Sequence, residues 1–281
     1  MVFSTDEFKF IADMVYKQAA IVLDEKKKYL VEARLSKVMN DEFLWSPNEL
    51  ITKLQDSAST KLRAKVVDAM TINETSFFRD GHPYEELRQS LIPTLIKTRA
   101  AEKQINIWCA AGSTGQEPYS IAMTLRQHFP ELAAWRIKII ASDISDRVLE
   151  QARSGRYSQL EVNRGLSPAL LSRFFTRDKD HWVANKELKD LIEFRKVNLV
   201  EPLVGLPKFD LIFIRNVLIY FNVGTKKEIL AKIAKTMRPD GALVLGTAET
   251  MLGVTDEFER RSGTRTALYT LKAQCAAGGV S

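Results

Sequence analysis

Cysteine and histidine are scarce in this chain, with two Cys and three His among 281 residues. Cys109 sits in the apolar run INIWCA and Cys275 in a tail of small residues, so no structural disulfide is expected. His82, His128 and His181 lie far apart, with no second His or Cys at a ligand spacing, which argues against a metal site. No apolar run approaches the roughly 20 residues that span a bilayer. The start, MVFSTDEFKF, lacks a basic region followed by an apolar core and a cleavage site, so export is not expected and the cytoplasm is the default. A tract of one charge sign is missing too: 41 Lys and Arg face 35 Asp and Glu, and the net +6 is spread along the chain. That excess suits nucleic acid, anionic lipid or an acidic protein alike and selects none of them. There is no internal repeat or low-complexity segment.

What is present divides the chain in two. Residues 1–72 carry helical spacing throughout, as in Phe8, Ile11, Met14 and Val15, then Leu30, Val31, Leu35 and Val38, and predict about four helices and no strand. The third should begin at Ser46, with Pro47 in its first turn and Glu49 completing a capping box. Residues 73–90 form a joining segment, and 91–274 a second domain. There the apolar runs 105–110, 137–142, 192–197, 209–214 and 242–247 alternate with helices near 117–129, 145–154 and 224–237, the last ended by Pro239 and Gly241. This is the pattern of an α/β domain with a mostly parallel sheet. FERR (258–261) and TRTALYTL (264–271), split by Ser262 and Gly263, predict a closing antiparallel hairpin, a finish more typical of methyltransferases than of dinucleotide dehydrogenases. Residues 155–190, rich in charge and aromatics, form an inserted small subdomain, and 275–281 a disordered tail.

Four segments are candidates to carry chemistry. After the first strand, AAGSTGQEPYS (110–120) turns through Gly112 and Gly115 into a helix, as a ligand-binding loop does, although an ordinary strand-to-helix turn reads the same way. The second strand ends in Asp143, where a carboxylate can accept both hydroxyls of a ribose at the carboxyl edge of the sheet. Glu117 occupies the position where a pyrophosphate needs bare amides, which disfavours NAD and favours a ligand with a cationic part. S-adenosylmethionine, with sulfonium, amino group and ribose but no phosphate, fits. In FDLIFIRNVLIYF (209–221) an apolar strand stops at Arg215 and Asn216, which are costly unless partnered, with Tyr220 a turn further on. They form either a satisfied surface turn or the mouth of the cofactor site. TINETSFFRD (71–80) offers Asn73, Thr75 and Arg79 beside Phe77 and Phe78, and by spacing alone it reads as a capped helix start rather than a site.

Taken together, NETSFFRD, AAGSTGQEPYSIA, ASDIS with VLEQARSGRY, VNL and FIRNVLIYF resemble the chemotaxis receptor O-methyltransferase family, CheR, from residue 5 to about 271. The resemblance implies a Rossmann-like class I S-adenosylmethionine methyltransferase sheet, an all-α amino-terminal domain and a small β-subdomain insertion. It implies esterification of glutamate side chains on methyl-accepting chemoreceptors, with S-adenosylhomocysteine as product. By position, Asn73, Thr75 and Arg79 would close over the cofactor, Glu117 would hold its amino group and Asp143 its ribose. Asn198 and Leu199 would flank the adenine, Arg215 and Asn216 would line the cleft, and Arg79 and Tyr220 would stand nearest the reacting atoms. Lys26, Lys27, Lys28, Arg34, Lys37, Lys53, Lys61, Arg63 and Lys65 form a candidate basic surface for a glutamate-bearing helical substrate. In TRDKDHWVANKELK the stretch that in some members binds a receptor's terminal pentapeptide is shorter and lacks their glycine pattern, so direct recognition of the methylation helices is expected. Against a nucleic-acid methyltransferase stands the lack of a basic, aromatic-rich tract or an Asn/Asp-Pro-Pro-aromatic signature. A non-catalytic, cofactor-sensing adaptor would share every cofactor residue, and only Arg79 and Tyr220 speak for turnover.

Overall fold

Ser4 opens the first helix by accepting the Glu7 amide, while the Glu7 carboxylate accepts the Ser4 amide in return. The computed structural model describes residues 2–272, and the tail expected at 275–281 lies outside them. Four helices follow one another: α1 (Thr5–Ala19), α2 (Lys28–Asp41), α3 (Pro47–Gln55) and α4 (Thr60–Met70), with a single 3-10 turn before α2. Ser46 caps α3 as expected, but Glu49 returns to the amide of Trp45 rather than to Ser46, so only half of the box forms. The apolar stripes meet in one core of Phe8, Ile11, Val15, Leu35, Met39, Leu50 and Val66.

The segment 71–81 is not a helix start. It runs through irregular turns, with Phe78 at φ 47° and Asp80 at φ 70°, and helix begins only at α5 (His82–Glu86). A π-helical turn (Leu87–Leu91) then joins α5 to α6 (Ile92–Thr98). Pro93, which lacks the amide that would bond back along an α-helix, lies just past this wide turn.

The second domain is built on a seven-stranded sheet of β1 (Gln104–Ala110), β2 (Arg136–Asp143), β6 (Ile192–Lys196), β7 (Phe209–Ile214), β8 (Met237–Leu245), β9 (Phe258–Arg260) and β10 (Ala267–Leu271). Its order is β6-β2-β1-β7-β8-β10-β9, parallel as far as β8, with β10 antiparallel to both β8 and β9. Side chains alternate along β1: Ile105, Ile107 and Cys109 enter the core under α5, α6 and α7 (Gln116–His128), while Trp108 and Ala110 enter the opposite core with α12 (Val223–Thr236). The helix α8 (Asp146–Ser154) follows β2. Pro239 and Gly241 do not end α12. That helix stops at Thr236, and both residues lie in the first part of β8, where pairing with β7 is interrupted between Phe209 and Leu211. The insertion is a three-stranded antiparallel sheet of β3 (Arg156–Ser158), β4 (Phe175–Asp178) and β5 (His181–Ala184), carrying α9 (Gln159–Asn163), α10 (Pro168–Phe174) and α11 (Lys186–Lys189).

Because β2 and β7 flank β1 on opposite sides, the strand order reverses at β1 while the strands stay parallel, and the ends of β1, β2 and β7 open a crevice at their carboxyl edge. No helix among the described residues is long and apolar enough to cross a membrane, and no group of three His, Cys, Asp or Glu among them is placed to hold a metal ion.

Candidate active site

A cleft of about 300 Å³ opens at that crevice, of the size small-ligand sites have. Asn73, Thr75, Arg79, Glu117, Asp143, Asn198, Leu199, Arg215, Asn216 and Tyr220 all line it. The ends of β1, β2 and β7 are adjacent only in the folded sheet, and the joining segment is brought to them by the Ser113 hydroxyl on the Asn73 carbonyl.

The glycine loop is held from three directions. Ser113 donates its amide to Asp143 Oδ2 at 3.0 Å and its hydroxyl to the Asn73 carbonyl at 2.8 Å, tying loop, second strand and joining segment together. Tyr157 of the inserted subdomain donates to the Thr114 carbonyl at 2.8 Å. Gly115 has φ 97°, and a Cβ there would lie 2.9 Å from the Tyr157 hydroxyl, so glycine is required. Gly112 is less constrained, since a Cβ there meets nothing closer than 3.7 Å. The strained positions are instead Ala111 and Ser113, at φ 56° and 51°, which no glycine pattern could have revealed.

Asp143 is buried, and each carboxylate oxygen is already steered by an amide, Oδ2 by Ser113 and Oδ1 by Ser145. Burial pushes its carboxyl up, opposed by these amides and that of Ile144. Lone pairs remain on both oxygens for a diol. Burial also pushes the Glu117 carboxyl up, against the opposing charge of Arg215, whose Nη1 lies 3.6 Å from Glu117 Oε1. Arg215 is only 2 % exposed and donates through Nη2 to the Arg79 carbonyl at 3.0 Å and to Asp80 Oδ2 at 2.6 Å. Two buried polar atoms here have no hydrogen-bond partner among the described residues: Glu117 Oε1 and Arg215 Nε. A native buried carboxylate oxygen rarely stays orphaned. An acceptor of this kind suits a cationic donor such as the amino group of S-adenosylmethionine.

Arg79 and Tyr220 are half-buried. Arg79 Nη1 donates to the Glu74 carbonyl, and the Tyr220 hydroxyl makes no hydrogen bond among the described residues. Burial raises that hydroxyl and the Arg79 guanidinium opposes the rise. Tyr220 belongs to a 3-10 turn (Leu218–Tyr220) that follows Asn216 at φ 58°, so the two are not one helical turn apart as the spacing implied. Asn198 is largely committed: its Nδ2 donates to the Gln18 carbonyl in α1 at 2.7 Å and to Glu201, so it ties the helical domain to the sheet.

The helical domain also lines the cleft, through Ile21, Leu23, Leu30 and Arg34, of which the sequence marked Leu30 only for its helical spacing and Arg34 only for its charge. Arg34 donates through Nη1 to the Ala69, Met70 and Thr71 carbonyls at the end of α4, and Arg63 to the Leu54 carbonyl, so both are partly committed within the helical domain. Lys53 and Lys65 pair with Glu49 and Glu42. Asp80 and Glu249, which the sequence did not single out, anchor Arg215 and Asn216.

Residues 73–267 match the family described as CheR methyltransferase, SAM binding domain, and residues 6–71 match CheR methyltransferase, all-alpha domain. Chemotaxis protein methyltransferase 1 of Pseudomonas aeruginosa is 39% identical over 258 residues, covering 90% of this chain and 93% of its own. The chemotaxis protein methyltransferase of Vibrio parahaemolyticus is 40% identical over 273 residues, covering 96% and 98%. That of Salmonella typhimurium is 35% identical over 275 residues, covering 96% and 92%.

Proposed function

Since the chain belongs to the CheR methyltransferase family and is an S-adenosylmethionine-dependent methyltransferase of chemotaxis, we propose that it esterifies glutamate side chains on the methylation helices of chemoreceptors in the cytoplasm, with Arg79 and Tyr220 at the reacting atoms. The observation that carries this reading is the pairing, in one cleft, of an orphaned buried carboxylate oxygen on Glu117 with a half-buried arginine and a free tyrosine hydroxyl at its edge.

The cofactor supplies a methyl group made electrophilic by its sulfonium. A glutamate with an ordinary pKa of about 4.3 is already ionised at neutral pH, so the protein need not remove a proton, and its task is placement. Glu117 receives the cofactor ammonium, Asp143 the ribose hydroxyls, and Leu199 offers an apolar wall to the adenine beside Asn198. Asn73 and Thr75 close the cleft from the joining segment, and Arg215 and Asn216 line its far side. Holding carboxylate and methyl donor together in a dry cleft can contribute about 7 to 11 kcal/mol in well-oriented reactions. Arg79 orients the incoming carboxylate by charge-assisted hydrogen bonds. Too tight a grip would be counterproductive, because the carboxylate loses its charge as it is methylated. A half-buried arginine whose side chain, among the described residues, bonds only the Glu74 carbonyl suits a loose grip.

Of the basic residues on the helical domain, Lys26, Lys27, Lys37 and Lys61 are exposed and have no ion-pair partner among the described residues, and they form the steering surface for an acidic helical substrate. The hairpin between β4 and β5 closes through Lys179 and Asp180 alone, with Asp178 paired to His181. That economy supports recognition without the receptor's terminal pentapeptide.

Incubation with radiolabelled S-adenosylmethionine and a receptor cytoplasmic domain is expected to give base-labile methyl transfer at the same rate with or without the receptor's last five residues. Label that requires the tail would sink the tail-independent reading, and no label despite cofactor binding would leave a sensing adaptor. In the same assay Arg79→Ala is expected to lower turnover by about 30-fold while S-adenosylhomocysteine affinity changes far less, as a lost orienting contact does. Wild-type turnover in that variant would remove Arg79 from the chemistry.

A further inference from the structure

β7 stops at Ile214, and the chain passes through Arg215 and Asn216 into the Leu218–Tyr220 turn. This stretch cannot hold its own shape. Asn216 sits at φ 58°, in a region that side chains other than glycine enter at a cost, and the short turn leaves its leading amides without a strand partner. The partner comes from the loop that follows the neighbouring strand, β8. Three residues beyond Gly246, at the end of β8, the Glu249 carboxylate is only 7 % exposed and faces back under the turn. Its Oε2 accepts the amides of Asn216 at 2.7 Å and of Gly246 at 2.8 Å, and its Oε1 accepts the amide of Ile219 at 3.3 Å. Gly246 leaves the room this needs, since a Cβ there would lie 2.7 Å from Glu249 Oε2 and 2.9 Å from the Asn216 amide.

We propose that Glu249 is a positioning residue for methyl transfer: a buried carboxylate clamp on three backbone amides that sets the Asn216–Tyr220 loop, and so places the Tyr220 hydroxyl at the reacting atoms. The inference rests on the reading of Tyr220 given above. Glu249 does not line the cleft, so it acts through the loop and not on the ligand. A carboxylate can accept at both ends, and this site presents amide donors to both. A glutamine in its place can keep the Asn216 and Gly246 amides on its oxygen, but its amino group then confronts the Ile219 amide, donor against donor. The cofactor side of the loop stays held while the Tyr220 side is released.

The test is a double-mutant cycle on the full chain between Glu249→Gln and Tyr220→Phe, with turnover and S-adenosylhomocysteine affinity measured separately. Glu249→Gln is expected to lower kcat by about tenfold with affinity kept within about twofold, and to add less than about twofold in the Tyr220→Phe background, as coupled positions do. Glu249→Ala, which strips all three amides, is expected to lose affinity as well. Wild-type kcat in Glu249→Gln, or the same fold-loss in both backgrounds, would overturn the inference while leaving Tyr220 in place. Tyr220→Phe turning over at the wild-type rate is the separate failure of the Tyr220 assignment, and the inference falls with it. Glu249→Gln is close to isosteric, so it reads positioning even where Glu249→Ala fails to fold.

Discussion

Glu117→Ala is expected to bind S-adenosylhomocysteine about 1000-fold more weakly than the unchanged protein, the scale for losing one partner of a desolvated, hydrogen-bonded charge pair. The reasoning starts from the orphaned Oε1: buried, 3.6 Å from Arg215 Nη1, and without a hydrogen bond among the described residues. Arg215 keeps Asp80 and the Arg79 carbonyl when Glu117 is removed, so the lining should survive and the loss should appear in binding. Titration calorimetry of the folded variant measures it. A Kd within a few-fold of the unchanged value would remove Glu117 from the cofactor site. The pH dependence carries a definite sign. Burial, opposed by Arg215, raises the Glu117 carboxyl. In the ligand-free protein that group contributes stability that is fully present below its unfolded pKa of about 4.3 and lost as pH rises through the folded value. A bound ammonium favours the ionised form and offsets this loss. Affinity for S-adenosylhomocysteine should therefore fall as pH is lowered through the raised value, at higher pH than for an ordinary carboxylate, and this dependence should vanish in Glu117→Ala.

Asp210→Ala is expected to destabilise the fold by about 3 to 5 kcal/mol, the range for breaking a buried ion pair from one side. Asp210 is fully buried at the start of β7, at the opposite end of that strand from the cleft. Its Oδ1 accepts Arg99 Nε at 2.7 Å and lies 3.4 Å from Arg238 Nε, and its Oδ2 accepts the Asn106 amide at 2.8 Å. Arg99 retains Asp240 in the variant, but its Nε and the Asn106 amide lose their acceptor in a dry place. Against a total stability of about 5 to 15 kcal/mol, this consumes a large part of the margin. Urea unfolding followed by circular dichroism should show the lower midpoint, with kcat per folded molecule unchanged at a permissive temperature. An unchanged midpoint would mean that the Arg99–Asp240 pair between the end of α6 and β8 holds this end of the sheet without Asp210.

Helical spacing in residues 5–70, the start of α3 at Ser46, the apolar runs of β1, β2, β6 and β7, and the closing hairpin were all legible in the chain, because each depends on residues a few positions apart. The ten positions proposed for cofactor and chemistry all line one cleft; seven of them, from Glu117 to Tyr220, fall in short motifs past the ends of strands, where a parallel sheet must open its crevice, while Asn73, Thr75 and Arg79 came from the family resemblance and not from their spacing. Other features were not legible. Residues 71–80 read as a capped helix start, yet Ser113 and Ser120 hold their backbone at Asn73 and Phe78, and Phe77 packs on Tyr157 and Phe175 at 4.9 and 5.6 Å. Gly165 brings the inserted subdomain onto the same place, so close that a Cβ there would meet the Phe77 carbonyl. Pro239 seemed to end a helix that Thr236 had already ended, because Met237 was drawn into β8 by pairing with Phe209. The helical roof over the cleft and the Glu249 clamp had no local trace at all. The sequence by itself determined the order of helices and strands and the residue types set at strand ends, since periodicity and capping are short-range. The tertiary structure alone decided which of those residues face one another, since hydrogen bonds from Asn216 to Glu249, Tyr157 to Thr114 and Asn198 to Gln18 join parts of the chain that only strand order and domain packing bring within reach.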